Sequence, residues 1–177
     1  MQLFETERLI GRHLSHQDLH DLTEILSDPE VMKYSVRGVC DEETTRNFIH
    51  WCLESYSTHG VGPWALIEKS TSELIGFCGV GPEIVDGIEE MNLGYRLARK
   101  SWNRGLATEA VRAALEYVFT QHSLASVIAI IEPENSASIR VSEKAGFKDY
   151  SVHVFHNRPV RLYRISHEVQ SPTHVWR

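Results

Sequence analysis

Residues 91–122 read MNLGYRLARKSWNRGLATEAVRAALEYVFTQH, and the period of the apolar positions changes within them. Met91, Leu93, Tyr95 and Leu97 alternate with Asn92, Gly94 and Arg96, the period-2 pattern of a strand with two unlike faces. From Leu106 onward, Ala110, Ala113, Ala114, Tyr117 and Val118 recur at helical spacing, with Glu109, Arg112 and Glu116 turned outward. The spacing therefore predicts a strand, a basic turn, and a helix of about four turns beginning near Gly105.

The turn has chemistry of its own. A helix N-terminus leaves backbone N–H groups unpaired and carries partial positive charge, and Gly105 and Ala107 are small enough to let an anion reach it. Arg99, Lys100 and Arg104 add cations on a chain of net charge −6, a local concentration that points to an anionic ligand. A glycine turn rimmed by solvated basic residues would read the same way, so R-G-x-A alone leaves both readings open. A second stretch lies about 30 residues on: residues 135–147 read NSASIRVSEKAGF.

Together the two stretches resemble the hallmark motifs of the GNAT acetyltransferases, Q/R-x-x-G-x-G/A for the coenzyme A pyrophosphate and N-x-x-S/A…K-x-G-F for the next helix and strand. Trp102 in place of Gln or Arg, Ala107 in place of the last Gly, and the opening Thr6-Glu7-Arg8-Leu9 are most similar to the RimJ/RimL branch. The likeness runs from Thr6 to about Ser166. It implies a mixed α/β fold with a central, mostly antiparallel sheet flanked by helices, whose fourth and fifth strands splay apart to admit the pantetheine arm.

It also implies an N-acetyltransferase that moves the acetyl group of acetyl-CoA to a primary amine, on a protein N-terminus or a small molecule, by direct attack in a ternary complex. Amides from Arg104 to Ala107, with Gly105, Leu106 and Thr108, would hold the pyrophosphate, and the main chain of Leu97 and Arg99 would pair with pantetheine. Asn135 and Ser138 would be cofactor-side or capping groups. The family's catalytic positions carry over unevenly. The glutamate found early in the fourth strand falls on Met91, which is no base, leaving Glu90 as the nearby carboxylate or else a solvated strand end. The tyrosine four residues before the helix-ending glycine is Ser142, either a hydroxyl that hydrogen-bonds the thiol or a plain helix residue. The loss of the glutamate keeps a second reading open, a non-catalytic acyl-CoA-binding domain of the same fold. A nucleotide-binding α/β domain is more distant, since no G-x-G-x-x-G or Walker lysine follows the early strands.

Composition bounds these readings. At 177 residues, 42% hydrophobic and 24% charged, the chain is expected to form one domain, residues 1–177, with a core of its own. No apolar run approaches the ~20 residues of a membrane span and no signal-peptide layout opens the chain, which predicts a cytoplasmic protein without membrane contact. The negative charge disfavours nucleic acid as a partner. Cys40, Cys52 and Cys78 show no C-x-x-C pair and are expected as reduced thiols in or near the core. His16 and His20 lack a third ligand at sensible spacing and are read as exposed helix residues, so no metal is expected. Monomer and homodimer are equally compatible.

Outward from the opening stretch, Leu9 to Leu14 reads as a strand, and Ser15 caps a helix from Gln17 to Leu26 that Asp28-Pro29 stops. Residues 30–39 are irregular, and Asp41 opens a helix that His59-Gly60 ends. Pro63 to Glu68 and Glu73 to Gly81 form a hairpin, and Gly81-Pro82 and Asp86-Gly87 punctuate the loop that follows. The apolar run from Val127 to Ile131 reads as a strand covered on both faces. Asn135 caps a helix reaching Lys144, with Gly146 as its stop. Phe147 to His156 and Val160 to Ser166 close the fold around a turn at Asn157-Arg158-Pro159, and the tail from Gln170 is polar, with Val175 and Trp176 free to dock. The segment from Asp28 to His59 and the turn from Phe155 to Pro159 would wall the acceptor side. Tyr34, Trp51, Glu54 and Tyr56 there predict a cationic, partly apolar guest.

Overall fold

A computed structural model describes residues 2–167. The tail from Gln170, with Val175 and Trp176, lies outside the described residues. The chain forms β1 (Gln2–Glu5), β2 (Leu9–Arg12), α1 (Leu19–Leu26), α2 (Glu42–His59), β3 (Pro63–Glu68), β4 (Glu73–Val85), β5 (Ile88–Leu97), α3 (Leu106–Gln121), β6 (Ser126–Ile131), α4 (Ser136–Ala145), β7 (Tyr150–Phe155) and β8 (Arg158–Ser166). The eight strands make one sheet in the order β1-β2-β3-β4-β5-β6-β8-β7, antiparallel throughout except where β5 meets β6.

That junction positions everything else. β5 and β6 run parallel and share a single pair, Asn92 with Ile128, whereas β4 and β5 pair without interruption from Gly76–Leu97 to Val85–Ile88. Past Asn92 the two strands diverge, so the edge of β5 from Leu93 to Leu97 has no strand partner on that side. The splay implied by the family resemblance is thus present.

The helices cover both faces because β5 has two. Leu93 and Leu97 pack with Leu106, Ala110, Val111, Ala114 and Val118 of α3, and with Trp64, Val127 and Phe147, in one core. Leu22, Leu26, Ile49 and Cys52 of α1 and α2 pack on Ala65 and Phe77 of the opposite face in a second. Burying each such side chain stabilises the fold by roughly 1.5–3 kcal/mol. Leu106, 1% exposed, fixes the first turn of α3 against the sheet. All three cysteines are free and buried, and burial pushes the Cys52 and Cys78 thiols up, so both stay protonated.

Most boundaries follow from caps. Asp41 accepts from the Thr44 N–H at 2.8 Å to start α2, and Asn135 accepts from the Ser138 N–H at 3.2 Å to start α4. Three places depart from expectation. Gln2–Glu5 is a strand, too short to show a period, held by Phe4 against Trp64 and Tyr117. Gly81-Pro82 lies inside β4 rather than in a loop, and only Asp86 and Gly87, both at positive φ, make the turn into β5. Pro159 lies inside β8, and the turn sits at His156-Asn157. Both prolines stand where the strand has outrun a neighbour: β3 ends opposite Gly79 and β6 ends opposite Arg161, so no second partner asks for the missing N–H.

Candidate active site

The turn before α3 is built to expose amides. Asn103 and Gly105 have φ of 58° and 77°, the left-handed region, so the chain reverses tightly before the helix. No side chain caps α3, and its first intrahelical bond runs from the Glu109 N–H to the Gly105 carbonyl. The amides of Leu106, Ala107 and Thr108 therefore open into a groove of about 430 Å³. Leu97, Trp102, Asn135 and Ser138 line the same groove. Trp102 donates its indole N–H to the Leu97 carbonyl at 2.9 Å, tying the turn to the end of β5.

Behind the turn, Glu109 accepts from the Thr6 hydroxyl at 2.6 Å, the Arg8 N–H at 2.9 Å and the Arg8 Nε at 2.8 Å, while Arg8 Nη1 donates to the Arg104 carbonyl at 2.7 Å. Read as outward-facing, Glu109 is instead the clasp that joins the N-terminal Thr6–Leu9 stretch to this loop. Burial pushes its carboxyl up, but the hydrogen bonds from Thr6 and Arg8 outweigh that and hold it below the ordinary 4.5. A carboxyl depressed by folding contributes stability that is complete above its unfolded pKa and is lost as pH falls through the lower folded value. Glu109→Gln should cost about 2 kcal/mol at neutral pH. It should also flatten the loss of stability on acidification below pH 4.5, measured by denaturant titration against the native chain.

The groove continues into a cleft of about 490 Å³, with Tyr34, Tyr95, Arg96, Asn135 and Ser138 lining both. At the junction the Tyr95 hydroxyl and Ser138 Oγ are 2.9 Å apart. Burial raises the Tyr95 pKa, against the Ser138 hydrogen bond, so the phenol stays protonated. On the far side of the junction stand Ser142, 2% exposed, Asn92, Gly94 and Glu83, with Phe155 from the end of β7 and His156 from the turn into β8. A hollow of about 230 Å³ extends the cleft toward Phe48 and Trp51 of α2.

The structure brings Leu97, Gly105, Leu106, Ala107, Thr108, Asn135 and Ser138 to the groove and Ser142 to the cleft. It does not bring Arg99, Arg104 or Glu90. Arg99 is held by Asp28, Lys100 by Glu73 and Arg104 by Glu68, so the basic turn spends its charge on its own scaffold. Lys33, Arg96, Arg140 and Lys144 are the cations lining the groove instead. Glu90 pairs with Arg164, which holds its carboxyl below the usual glutamate range, and it lines neither space. A carboxylate so engaged is a poor base. Its cross-strand partner Glu83 is the one that reaches the cleft. Tyr34 lines both the cleft and the groove and Trp51 the hollow beyond, but Tyr56 is turned inward, accepting from the Leu14 N–H, and Glu54 lines none of these spaces. Arg37 and Arg96 also line the cleft, so its charge is mixed rather than simply acidic. The alternation of β5 contained this signal, since Asn92, Gly94 and Arg96 share a face.

Residues 8–148 match the acetyltransferase (GNAT) domain family. The chain belongs to it. The acetyltransferase is 35% identical over 159 residues to the uncharacterized protein YkkB of Bacillus subtilis (strain 168), a match covering 89% of this chain and 92% of the relative. Among solved structures it resembles a GNAT-family acetyltransferase from Bacillus anthracis, with a TM-score of 0.77 and 31% identity over 94% of this chain and 98% of that one. It shares the fold, at a TM-score of 0.78 and 13% identity over 94% of this chain and 98% of the other, with RimL, a ribosomal L7/L12 α-N-protein acetyltransferase in complex with coenzyme A.

Proposed function

We propose that this acetyltransferase carries the acetyl group of acetyl-CoA to a primary amine by direct attack in a ternary complex, and that it belongs with the RimJ/RimL branch. One observation carries the reading: the uncapped start of α3 opens a groove that runs straight into the gap between β5 and β6. The amides of Leu106, Ala107 and Thr108 offer the donors that a diphosphate accepts, and Lys33, Arg140 and Lys144 offset its charge. The unpaired edge of β5 offers an extended pantetheine arm a strand to lie against. The thioester then meets the cleft at Tyr95 and Ser138. Trp102 and Ala107, the branch's substitutions, line the groove, and the Thr6–Leu9 stretch braces it, which supports the branch assignment. The unpaired buried cysteines fit a cytoplasmic setting.

The amine arrives protonated, its pKa being about 10.4, and must lose a proton to attack. Glu83 takes the role first expected of Glu90, accepting that proton directly or through water. The departing thiolate, of parent pKa about 8.5, is met by the Ser142 hydroxyl or a water it orients. Holding both reactants in one space supplies much of the rate, so neither group need be strongly acidic or basic. Acceptor-dependent release of CoA thiol from acetyl-CoA across a panel of amines tests the reading, and a chain that binds acetyl-CoA yet releases none above background is a binding domain. Ser142→Ala should lower kcat by at least about tenfold with the acetyl-CoA Kd unchanged. An unaltered kcat would make Ser142 a helix residue only.

A further inference from the structure

We propose that the acceptor is a small amine that also carries a carboxylate, an amino-acid-like molecule whose acidic end sits between Arg37 and Arg96 while its amine reaches Asn92 and Glu83. The proposal rests on the acetyl-transfer reading and names its substrate class.

Arg8, Arg12, Arg46, Arg99, Arg104, Arg158 and Arg164 are each matched to a carboxylate. Among the described residues Arg37, Arg96, Arg112, Arg140 and Arg161 have no such partner, and of these Arg37 and Arg96 line the cleft and its extension, Arg96 reaching the groove as well. Arg96 is half-buried and donates to the Tyr95 carbonyl at 2.6 Å. Burial first, then the neighbouring Arg37, depress its pKa. Two arginines lining one space, one of them poorly hydrated and the other lying over the Phe48 ring at 5.2 Å, offer a pair of forks that a carboxylate can match with paired hydrogen bonds. An ammonium alone would meet repulsion there.

The other end of the cleft has the opposite need. Asn92 Oδ1 is buried with no donor within reach, at the point where β5 leaves β6, and a buried acceptor left unmade costs about 1–3 kcal/mol. Glu83, two residues along β4 from Asn92's cross-strand partner Gly81, lines the cleft too, its carboxylate accepting, among the described residues, only the Ile84 N–H at 3.2 Å. An ammonium answers both. Between the two ends the floor is Gly94, where a Cβ would meet nothing within 4 Å, so the space from Asn92 to Arg96 is open along the strand.

The test compares matched acceptors: L-tyrosine against tyramine, L-tryptophan against tryptamine, L-lysine against cadaverine, and a ten-residue peptide whose carboxylate is remote from its amine. With acetyl-CoA saturating, at least one amino acid should exceed its decarboxylated partner in kcat/KM by about tenfold or more. That ratio should collapse toward one in Arg96→Met and in Arg37→Gln, the latter an exposed residue whose change does not threaten folding. Equal use of the decarboxylated amines, preference for the peptide, or a ratio that survives both substitutions overturns the proposal alone. An Arg96→Met chain that loses acetyl-CoA affinity instead assigns Arg96 to the cofactor and also overturns it. No transfer to any member of the panel while acetyl-CoA still binds removes the transfer reading and this one with it.

Discussion

Gly105→Asp should melt at the same temperature with and without acetyl-CoA, while the native chain rises by about 5–11 °C when the ligand stands at ~100 times its Kd. The native shift follows from mass action, since ligand at that excess adds about 2.7 kcal/mol, and 1 kcal/mol moves the melting point of a chain of this size by about 2–4 °C. The substitution acts at the amides themselves. Gly105 is the residue immediately before α3, and a Cβ there would meet only Arg8 Nη2, at 3.5 Å, so the new side chain fits. Its charge is what fails. A carboxylate beside the unpaired N–H groups competes for them and repels a diphosphate, the reverse of what the groove's Lys33, Arg140 and Lys144 do. The φ of 77° adds about 1 kcal/mol of strain in most non-glycine residues, so Gly105→Asn is the control. Asparagine tolerates that φ and carries no charge, and it should retain part of the shift. A full shift in the aspartate variant would place the phosphates elsewhere and take the acetyl-transfer reading with it.

The parts of this molecule legible in the sequence are those written in neighbouring residues. β5 and α3 declare themselves by the change of period at Leu97 to Leu106, and α2 and α4 by an Asp or Asn cap at one end and a glycine at the other. The groove was legible for the same reason, because exposed amides are a property of one turn and need only Gly105 and the absence of a capping side chain. Misread strand ends share one cause. Pro82 and Pro159 look like breaks, yet each sits where a neighbouring strand has already stopped, which depends on residues far away in the chain. The side-chain chemistry was hidden by the same distance. Arg104 finds Glu68 36 positions away, Arg99 finds Asp28 71 away and Glu90 finds Arg164 74 away. Counting charge within the basic turn therefore missed that its cations are taken up by distant carboxylates, and the cations that line the groove, Lys33, Arg96, Arg140 and Lys144, come from three other segments. Arg96 and Asn92 were on a recognised face, but only the distant carboxylates that take up Arg8, Arg12, Arg99, Arg104, Arg158 and Arg164 show that Arg96, like Arg37, is left over in the cleft.

Gly94→Val should reduce transfer to any amine by at least about a hundredfold while leaving acetyl-CoA binding and the fold intact. Position 94 lies on the β5 face opposite the α3 core, lining the cleft and its extension but not the groove. Its backbone is ordinary strand, not the left-handed region, and a Cβ there points into space with nothing within 4 Å. Valine suits a strand, and removing a glycine lowers the entropy of the unfolded chain, so stability should stay level or rise by up to about 1 kcal/mol. The branched side chain instead occupies the floor between Asn92 and Arg96, where the nucleophile must stand. A displacement of about 1 Å from attack geometry can cost ~100-fold, and exclusion costs more. The neighbouring floor glycines would not give so clean an answer, because a Cβ at Gly79 would lie 2.2 Å from the Gly62 carbonyl and one at Gly81 2.8 Å from the Trp51 ring. Measured together, an unchanged thermal shift with acetyl-CoA and an absent transfer rate would separate the two halves of the site. A variant that transfers normally would mean the amine approaches from another side, and one that loses the thermal shift would mean the thioester arm runs over Gly94 itself.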